Sequence, residues 1–255
     1  MAKKGSYRAK HLAESGEEKN IERKENIAIT DEAKAKFEEG KVILLDKPLH
    51  WTSIDVVRKI RNCIRIKKVG HAGTLDPLAS GLLIVCTGKF TKKINEYMAQ
   101  EKEYTGAITL GAVTPTYDLE SIPQENKDIS SITQTQVHAA TRQFIGEIQQ
   151  TPPIYSAKKK DGVALYELAR RGIDIELKPR TITITAFEIT AIEFPVIKFR
   201  VVCSTGTYIR SLANDFGASL GCGGYLSELR RTRIGEHAVT NAVSIDEFME
   251  NVNGQ

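Results

Sequence analysis

The sequence predicts an α+β fold with a central mixed, mainly antiparallel sheet flanked by helices. Three observations carry this expectation. Strand-like and helix-like segments alternate irregularly, without the regular β-then-α order of a parallel sheet. Residues 181–189 alternate Ile with Thr, and a turn at 193–195 leads directly into a second apolar strand at 197–203, which reads as a hairpin. The chain of 255 residues is 41 % apolar and 27 % charged, ordinary usage for a chain that buries its own core.

The first element is a short buried strand at 41–45, closed by Asp46-Lys47-Pro48. Thr52 or Ser53 then caps a helix reaching about residue 66. Ile54, Val57, Ile60 and Ile64 keep helical spacing along it, and Arg58, Lys59 and Arg65 fall on other faces. Residues 70–81 form a glycine-punctuated loop, followed by a buried strand at 82–86. Strand 104–110 comes next. Residues 113–133, rich in Thr, Pro, Ser and Asn, read as a loop or insertion, and the segment 113–175 as an inserted thumb. Helices are expected at 134–145 and 165–171. A last helix at 209–220 ends on Gly221, a good C-cap. Residues 1–40 hold nine basic and nine acidic residues and almost no apolar periodicity, so 1–36 read as a flexible extension. The folded body then covers 37–248 and a tail 249–255.

Composition excludes several functions. No apolar run approaches the ~20 residues needed to span a bilayer, and no apolar stretch near the N-terminus suggests a secretory signal. Cys63, Cys86, Cys203 and Cys222 lie far apart without a CxxC pair, which fits a reducing, cytoplasmic setting and excludes a zinc ribbon. The five histidines are scattered without metal-ligand spacing, so no metal is expected. Gly88-Lys89 fails as a phosphate loop, because Leu83 and Phe90 stand where Gly and Ser/Thr are required. The net charge of +4 decides little. Its clustering at 58–68, 158–160, 170–171 and 230–233 points toward a polyanionic partner.

Two constellations carry chemistry. Gly70-His71-Ala72-Gly73-Thr74-Leu75-Asp76-Pro77-Leu78-Ala79-Ser80-Gly81 holds a carboxylate in a loop whose glycines let a ligand approach closely. Cys203-Ser204-Thr205-Gly206-Thr207-Tyr208-Ile209-Arg210 closes a strand and opens a helix. Arg210 falls in the first helical turn, where the dipole disfavours a cation, so it needs an anionic partner.

The run from Val69 through Leu83 resembles the catalytic motif of the TruB family of tRNA pseudouridine synthases. Leu44-Leu45-Asp46-Lys47-Pro48 with Trp51-Thr52-Ser53 is similar to the family's N-terminal motif, and Lys102-Glu103-Tyr104 to its tyrosine motif. Pro152-Pro153-Ile154-Tyr155-Ser156-Ala157-Lys158-Lys159 and Tyr166-Glu167-Leu168-Ala169-Arg170 resemble the middle signature. Gly206-Thr207-Tyr208-Ile209-Arg210 resembles the arginine motif, and Leu229-Arg230-Arg231-Thr232-Arg233 the last one. The similarity covers roughly residues 40–248.

The resemblance implies a pseudouridine synthase fold and a cofactor-free isomerisation of the T-loop uridine at tRNA position 55, without guide RNA. Asp76 matches the attacking aspartate, at C6 of the base or at C1′ of the sugar. Arg210 matches the arginine that pairs with it. Tyr104 matches the tyrosine that stacks on the base and takes part in proton removal, and His71 the histidine that supports the flipped nucleotides. Tyr208 and Leu229 match positions lining the uridine pocket. Lys47 matches a motif lysine, structural or phosphate-directed. Arg58, Arg65, Lys68, Lys158, Arg230 and Arg231 are candidates for the RNA backbone, because an extruded base needs cationic support along its strand. The partner implied is the T-stem-loop of tRNA, bound by a monomer. The chain ends at Gln255, leaving no room after the last motif for the C-terminal PUA domain many bacterial members carry. Two rival readings are a dyskerin-type enzyme working with guide RNA and a tRNA-folding chaperone. The Tyr155-Ser156-Ala157 signature speaks against the first, and an intact Asp76, Tyr104 and Arg210 against the second.

Overall fold

The computed structural model describes residues 28–124, 126–155, 159–160, 163–164 and 177–254. In chain order the elements are α1 (Asp31–Glu39), β1 (Val42–Lys47), α2 (Ser53–Ile64), β2 (Val69–Ala72), β3 (Ala79–Thr87), α3 (Ile94–Ala99), β4 (Lys102–Leu110), α4 (Gln134–Ala140), β5 (Gly146–Gln150), β6 (Lys159–Lys160), β7 (Val163–Ala164), β8 (Arg180–Glu193), β9 (Val196–Cys203), α5 (Ile209–Ser219), β10 (Gly224–Ile234) and α6 (Ile245–Glu250). The α+β expectation holds. The chain divides into two compact units, Met1–Met98 with Glu236–Gln255, and Ala99–Gly235.

In the first unit β3 pairs antiparallel with both β1 and β2. Every residue of β3 except Ser80 is buried, as its unbroken apolar run requires. Helix α2 is fixed by a reciprocal cap, in which Thr52 Oγ1 accepts from Asp55 N and the Asp55 carboxylate accepts from Thr52 N. It buries Val56, Val57, Ile60 and Ile64 against Leu45, Leu83, Val85, Phe37 and Phe248. Ile54, expected on the buried stripe, is instead 56 % exposed, because the helix turns Val56 into the core beside Val57. The helix stops one residue past Ile64, where Arg65 adopts a left-handed conformation at φ 53°.

The described residues near both ends correct part of the sequence expectation, the stretch before residue 28 lying outside them. Helix α1 starts inside the stretch read as a flexible extension. It is capped by Thr30 and anchored by Ala33 and Phe37, an i, i+4 pair that is fully buried. The tail beyond 248 is packed too: α6 runs to Glu250, and Val252 is wholly buried. Residues 70–72, read as loop, belong to strand β2.

The second unit is an antiparallel sheet in the order β10-β4-β9-β8-β5. Strands β8 and β9 form the expected hairpin, closing with Glu193 opposite Val196. Phe187, Phe199 and Phe216 stack edge-to-face with centroids 5.5–5.9 Å apart, clamping α5 onto the sheet. Close approach at the far end of α5 depends on Gly217, where a Cβ would come within 2.2 Å of Gly224 N. The helix expected at 134–145 is shorter: α4 ends at Ala140, and a 3-10 turn over Thr141–Phe144 leads into β5. The helix expected at 165–171 lies outside the described residues. Strand β10, absent from the sequence reading, carries Leu229 through Arg233.

Candidate active site

The loop bearing Asp76 joins β2 to β3, and its neighbours in the chain are pinned on both sides. Ser53, the first residue of α2 and 1 % exposed, accepts from Leu75 N at 2.9 Å and donates through Oγ to Leu75 O at 3.2 Å. On the other flank His50 N donates to Pro77 O at 2.7 Å, and Ala79 N donates to Asp76 O at 3.0 Å. Asp76 itself is half-buried. The backbone of one carboxylate-bearing residue is thus fixed from three directions, which is how a reactive group is held without being enclosed.

Lys47 belongs to the same support. It is fully buried, and its ammonium donates to Pro48 O at 3.0 Å and Trp51 O at 2.7 Å. Those carbonyls belong to the turn containing His50, whose φ is 65°. With no exposed surface, Lys47 is placed to hold this turn, and through it Pro77. This burial favours the structural of the two roles the motif lysine allows over the phosphate-directed one. His71 lies half-buried on β2, opposite Val85 of β3.

In the second unit the register of β4 against β10 places Tyr104 opposite Arg231 and Gly106 opposite Leu229. Directly opposed residues share a face, so Tyr104, Leu229 and Arg231 project from the same side of this sheet. Tyr104 is 8 % exposed. Arg231 is 1 % exposed, so the expectation that it displays its guanidinium to a phosphate backbone does not hold. Arg230 falls opposite Thr105, on the other face. There Arg200 donates to Glu103 at 2.7 Å and to Glu188 at 3.1 Å, and Arg233 donates to Glu101 at 2.9 Å. The 230–233 cluster is therefore largely committed to the sheet. Burial would raise the Glu103 carboxyl, but hydrogen bonds from Thr232 and Arg200 and the charges of Arg200 and Arg233 hold it below its ordinary value. Lys102, two residues before Tyr104, is pushed down to about 8 by burial and by the charge of Arg231.

Arg210 is the second residue of α5 and is 5 % exposed. Its Nη1 donates to Tyr155 O at 3.0 Å and to Thr116 O at 3.2 Å. Its Nε lies 3.6 Å from Asp118 Oδ2, a charge contact too long for a strong hydrogen bond. Asp118 is 4 % exposed. Within this unit, Asp118, a carboxylate the sequence reading left unmarked, supplies an anionic contact to Arg210. Nothing in sequence separated Asp118 from the polar residues around it in the 113–133 loop. Gln150 was missed as well. Its side chain grips the backbone of Tyr208, accepting from Tyr208 N at 2.8 Å and donating to Tyr208 O at 3.1 Å, and so fixes the start of α5.

Of the RNA-backbone candidates, Arg58, Arg65 and Lys68 are exposed. Arg65 and Lys68, with Lys34, Glu38, Ile66, Lys67 and Gly88, line an open cleft of about 380 Å³ in the first unit. Lys158 lies outside the described residues. Among the described residues no group of three or more His, Cys, Asp or Glu side chains could hold a metal ion. No described helix is long and apolar enough to cross a membrane.

The α+β scaffold belongs to a chain that matches pseudouridylate synthase family models along most of the folded body, which puts it in the pseudouridine synthase class. Within that class the chain belongs to the TruB family. The TruB family pseudouridylate synthase N-terminal domain matches residues 61–209, and the tRNA pseudouridylate synthase B C-terminal domain matches residues 210–253. The chain is 53 % identical over 221 residues to tRNA pseudouridine synthase B of Flavobacterium johnsoniae, covering 84 % of this chain and 96 % of that protein. It is 49 % identical over 219 residues to tRNA pseudouridine synthase B of Chloroherpeton thalassium, covering 84 % and 91 %. Among solved structures, a chain of a Cbf5-Nop10-Gar1 complex superposes with a TM-score of 0.66 at 30 % identity, over 86 % of this chain. The chain spans only 56 % of that Cbf5-complex chain.

Proposed function

We propose that this protein isomerises uridine to pseudouridine in the T-loop of tRNA, at position 55, as a cytoplasmic monomer without guide RNA. The observation that carries the reading is the Asp76 loop, held at Leu75, Asp76 and Pro77, in a chain that spans 96 % of a tRNA pseudouridine synthase B. Asp76 is the nucleophile, at C6 of the base or C1′ of the sugar. The bond from N1 to C1′ breaks, the base turns over, and C5 bonds to C1′. The proton lost from C5 is balanced by one gained at N1, so the product is an isomer and no cofactor is consumed. A carboxylate nucleophile must stay ionised, and Arg210 is the cation that serves this. Tyr104 stacks on the base and assists removal of the C5 proton. His71 supports the everted nucleotides, and Tyr208 and Leu229 line the pocket.

The RNA strand carries one phosphate per nucleotide, and extruding a base requires that backbone to be gripped. Exposure of Arg58, and of Arg65 and Lys68 at their cleft, supports a role for them here. The guide-dependent reading draws on the superposition with the Cbf5 complex, but the two tRNA enzymes are markedly more similar, at 53 % and 49 % identity against 30 %.

The test is an unmodified tRNA transcript and its isolated T-stem-loop, incubated with wild-type protein and with Asp76→Asn, with pseudouridine mapped by carbodiimide labelling. Modification of both RNAs at one T-loop uridine, abolished in the variant, is the expected result. An inactive wild type, an active variant, or a requirement for added guide RNA overturns the reading.

A further inference from the structure

Two of the acceptors around Arg210 come from one irregular stretch. Thr116 O takes Nη1 at 3.2 Å, and the Asp118 carboxylate faces Nε at 3.6 Å. Between them stands Tyr117 at φ 62°, left-handed backbone that non-glycine residues rarely adopt. Such a residue is strained and persists only where its surroundings over-determine it. Tyr117 N donates to Thr114 O at 3.1 Å, and Leu226 N donates to Tyr117 O at 2.9 Å.

The rest of the restraint comes from Ser121. Its Oγ accepts from Thr116 N at 3.1 Å and lies 2.7 Å from Thr116 Oγ1, while Thr116 Oγ1 reaches Asp118 O at 3.2 Å. Each hydroxyl has one proton. Asp118 O can only accept, so the Thr116 proton goes to it. The Ser121 proton must then be the one shared between the two hydroxyls. The bonds therefore run in one direction, from Ser121 to Thr116 to the Asp118 carbonyl. They cross the strained residue and bind both acceptor-bearing residues to each other.

We propose that Ser121 is a positioning residue for Arg210, acting through Thr116 on the turn that presents the Thr116 carbonyl and the Asp118 carboxylate. The guanidinium is 5 % exposed, so water cannot replace acceptors that drift. The catalytic consequence rests on the reading of Arg210 as the cation serving the attacking carboxylate. The placement of the guanidinium does not.

Ser121→Ala and Ser121→Thr are compared with wild type in steady-state turnover of a T-stem-loop RNA, in melting temperature, and in solvent exchange of the Arg210 Nε–H followed by 15N NMR, with Arg210→Lys for assignment. Ser121→Ala is expected to lower kcat about tenfold, the order of a small misplacement of a reacting group, with KM within twofold. Its Nε–H should exchange several-fold faster, and Ser121→Thr should restore both values. Unchanged kcat with unchanged exchange overturns the proposal. So does equal loss in Ser121→Ala and Ser121→Thr that tracks melting temperature alone. Should the wild type modify no RNA, the functional reading falls, and the exchange measurement alone still decides the role of Ser121.

Discussion

Ser53 grips the peptide on either side of Leu75, accepting from its N–H at 2.9 Å and donating to its carbonyl at 3.2 Å across 22 residues of chain. The site is fully enclosed, with Ser53 at 1 % and Leu75 at 3 % exposure. Ser53→Ala leaves two backbone groups without partners beside Asp76. Each orphaned buried group costs about 1–3 kcal/mol. The expected outcome is a lower melting temperature together with reduced single-turnover rate at saturating RNA. Thermal denaturation and quench-flow carbodiimide mapping check this. Unaltered turnover would show that Asp76 is held well enough by His50 and Ala79.

Asp118 and Arg210 make a second prediction. Both side chains are buried, at 5 % and 6 % side-chain exposure, so removing one takes a buried counter-charge away from the other. Asp118→Ala is expected to destabilise by about 3–5 kcal/mol, the usual effect of breaking a buried pair. Asp118→Asn keeps an oxygen for the Glu120 N–H and should destabilise less. The double variant Asp118→Leu, Arg210→Met should regain part of the stability, because the buried pair is replaced by two apolar side chains. It should regain no activity. Urea denaturation beside the turnover assay separates these effects, and activity in the double variant would remove Arg210 from the chemistry.

Lys102 predicts how stability varies with pH. Its ammonium is pushed from 10.5 to about 8 by burial and by Arg231. Below pH 8 the lysine is charged both folded and unfolded, and the fold bears the full penalty of burying it. Between 8 and 10.5 the unfolded chain binds the extra proton, so stability rises with pH through that window and levels off above it. The span corresponds to at most about 3.5 kcal/mol at roughly 1.4 kcal/mol per pH unit. Lys102→Met should remove this rise and be more stable than wild type at pH 7. Denaturant midpoints of the two proteins from pH 7 to 11 test it, and parallel curves would count against the assignment.

The legibility of this chain followed the physics of each element. Helix α2 and the β8–β9 hairpin were readable because their periods, caps and turn residues act locally. Strand β10 was not readable. Leu229-Arg230-Arg231-Thr232-Arg233 has the composition of a solvated basic surface, and it becomes a strand through cross-strand partners such as Glu103, far away in sequence. Helix α1 was hidden by its charges, since only Ala33 and Phe37 anchor it. At the site, the Asp76 loop and the Arg210 turn were visible as motifs. Asp118, Gln150 and Ser121 were not, because a lone Asp, Gln or Ser in a polar loop acquires meaning only from what folding brings against it.

The cleft in the first unit yields a prediction about affinity without chemistry. Lys34, Arg65, Lys67 and Lys68 outnumber the single acid, Glu38, along its walls. Cations on a phosphate backbone act by releasing condensed counterions, so each lost contact reduces the salt slope of binding by about 0.7–0.9. Arg65→Glu with Lys68→Glu should weaken binding of an unmodified tRNA transcript by more than tenfold at low salt and flatten the slope by between one and two. Turnover at saturating RNA should stay within about twofold, since neither residue belongs to the loop bearing Asp76 and both act on the charged backbone. Fluorescence anisotropy from 50 to 300 mM salt, paired with single-turnover rates, distinguishes the outcomes. An unchanged slope would show that the RNA path avoids this cleft and that its charges serve only solvation.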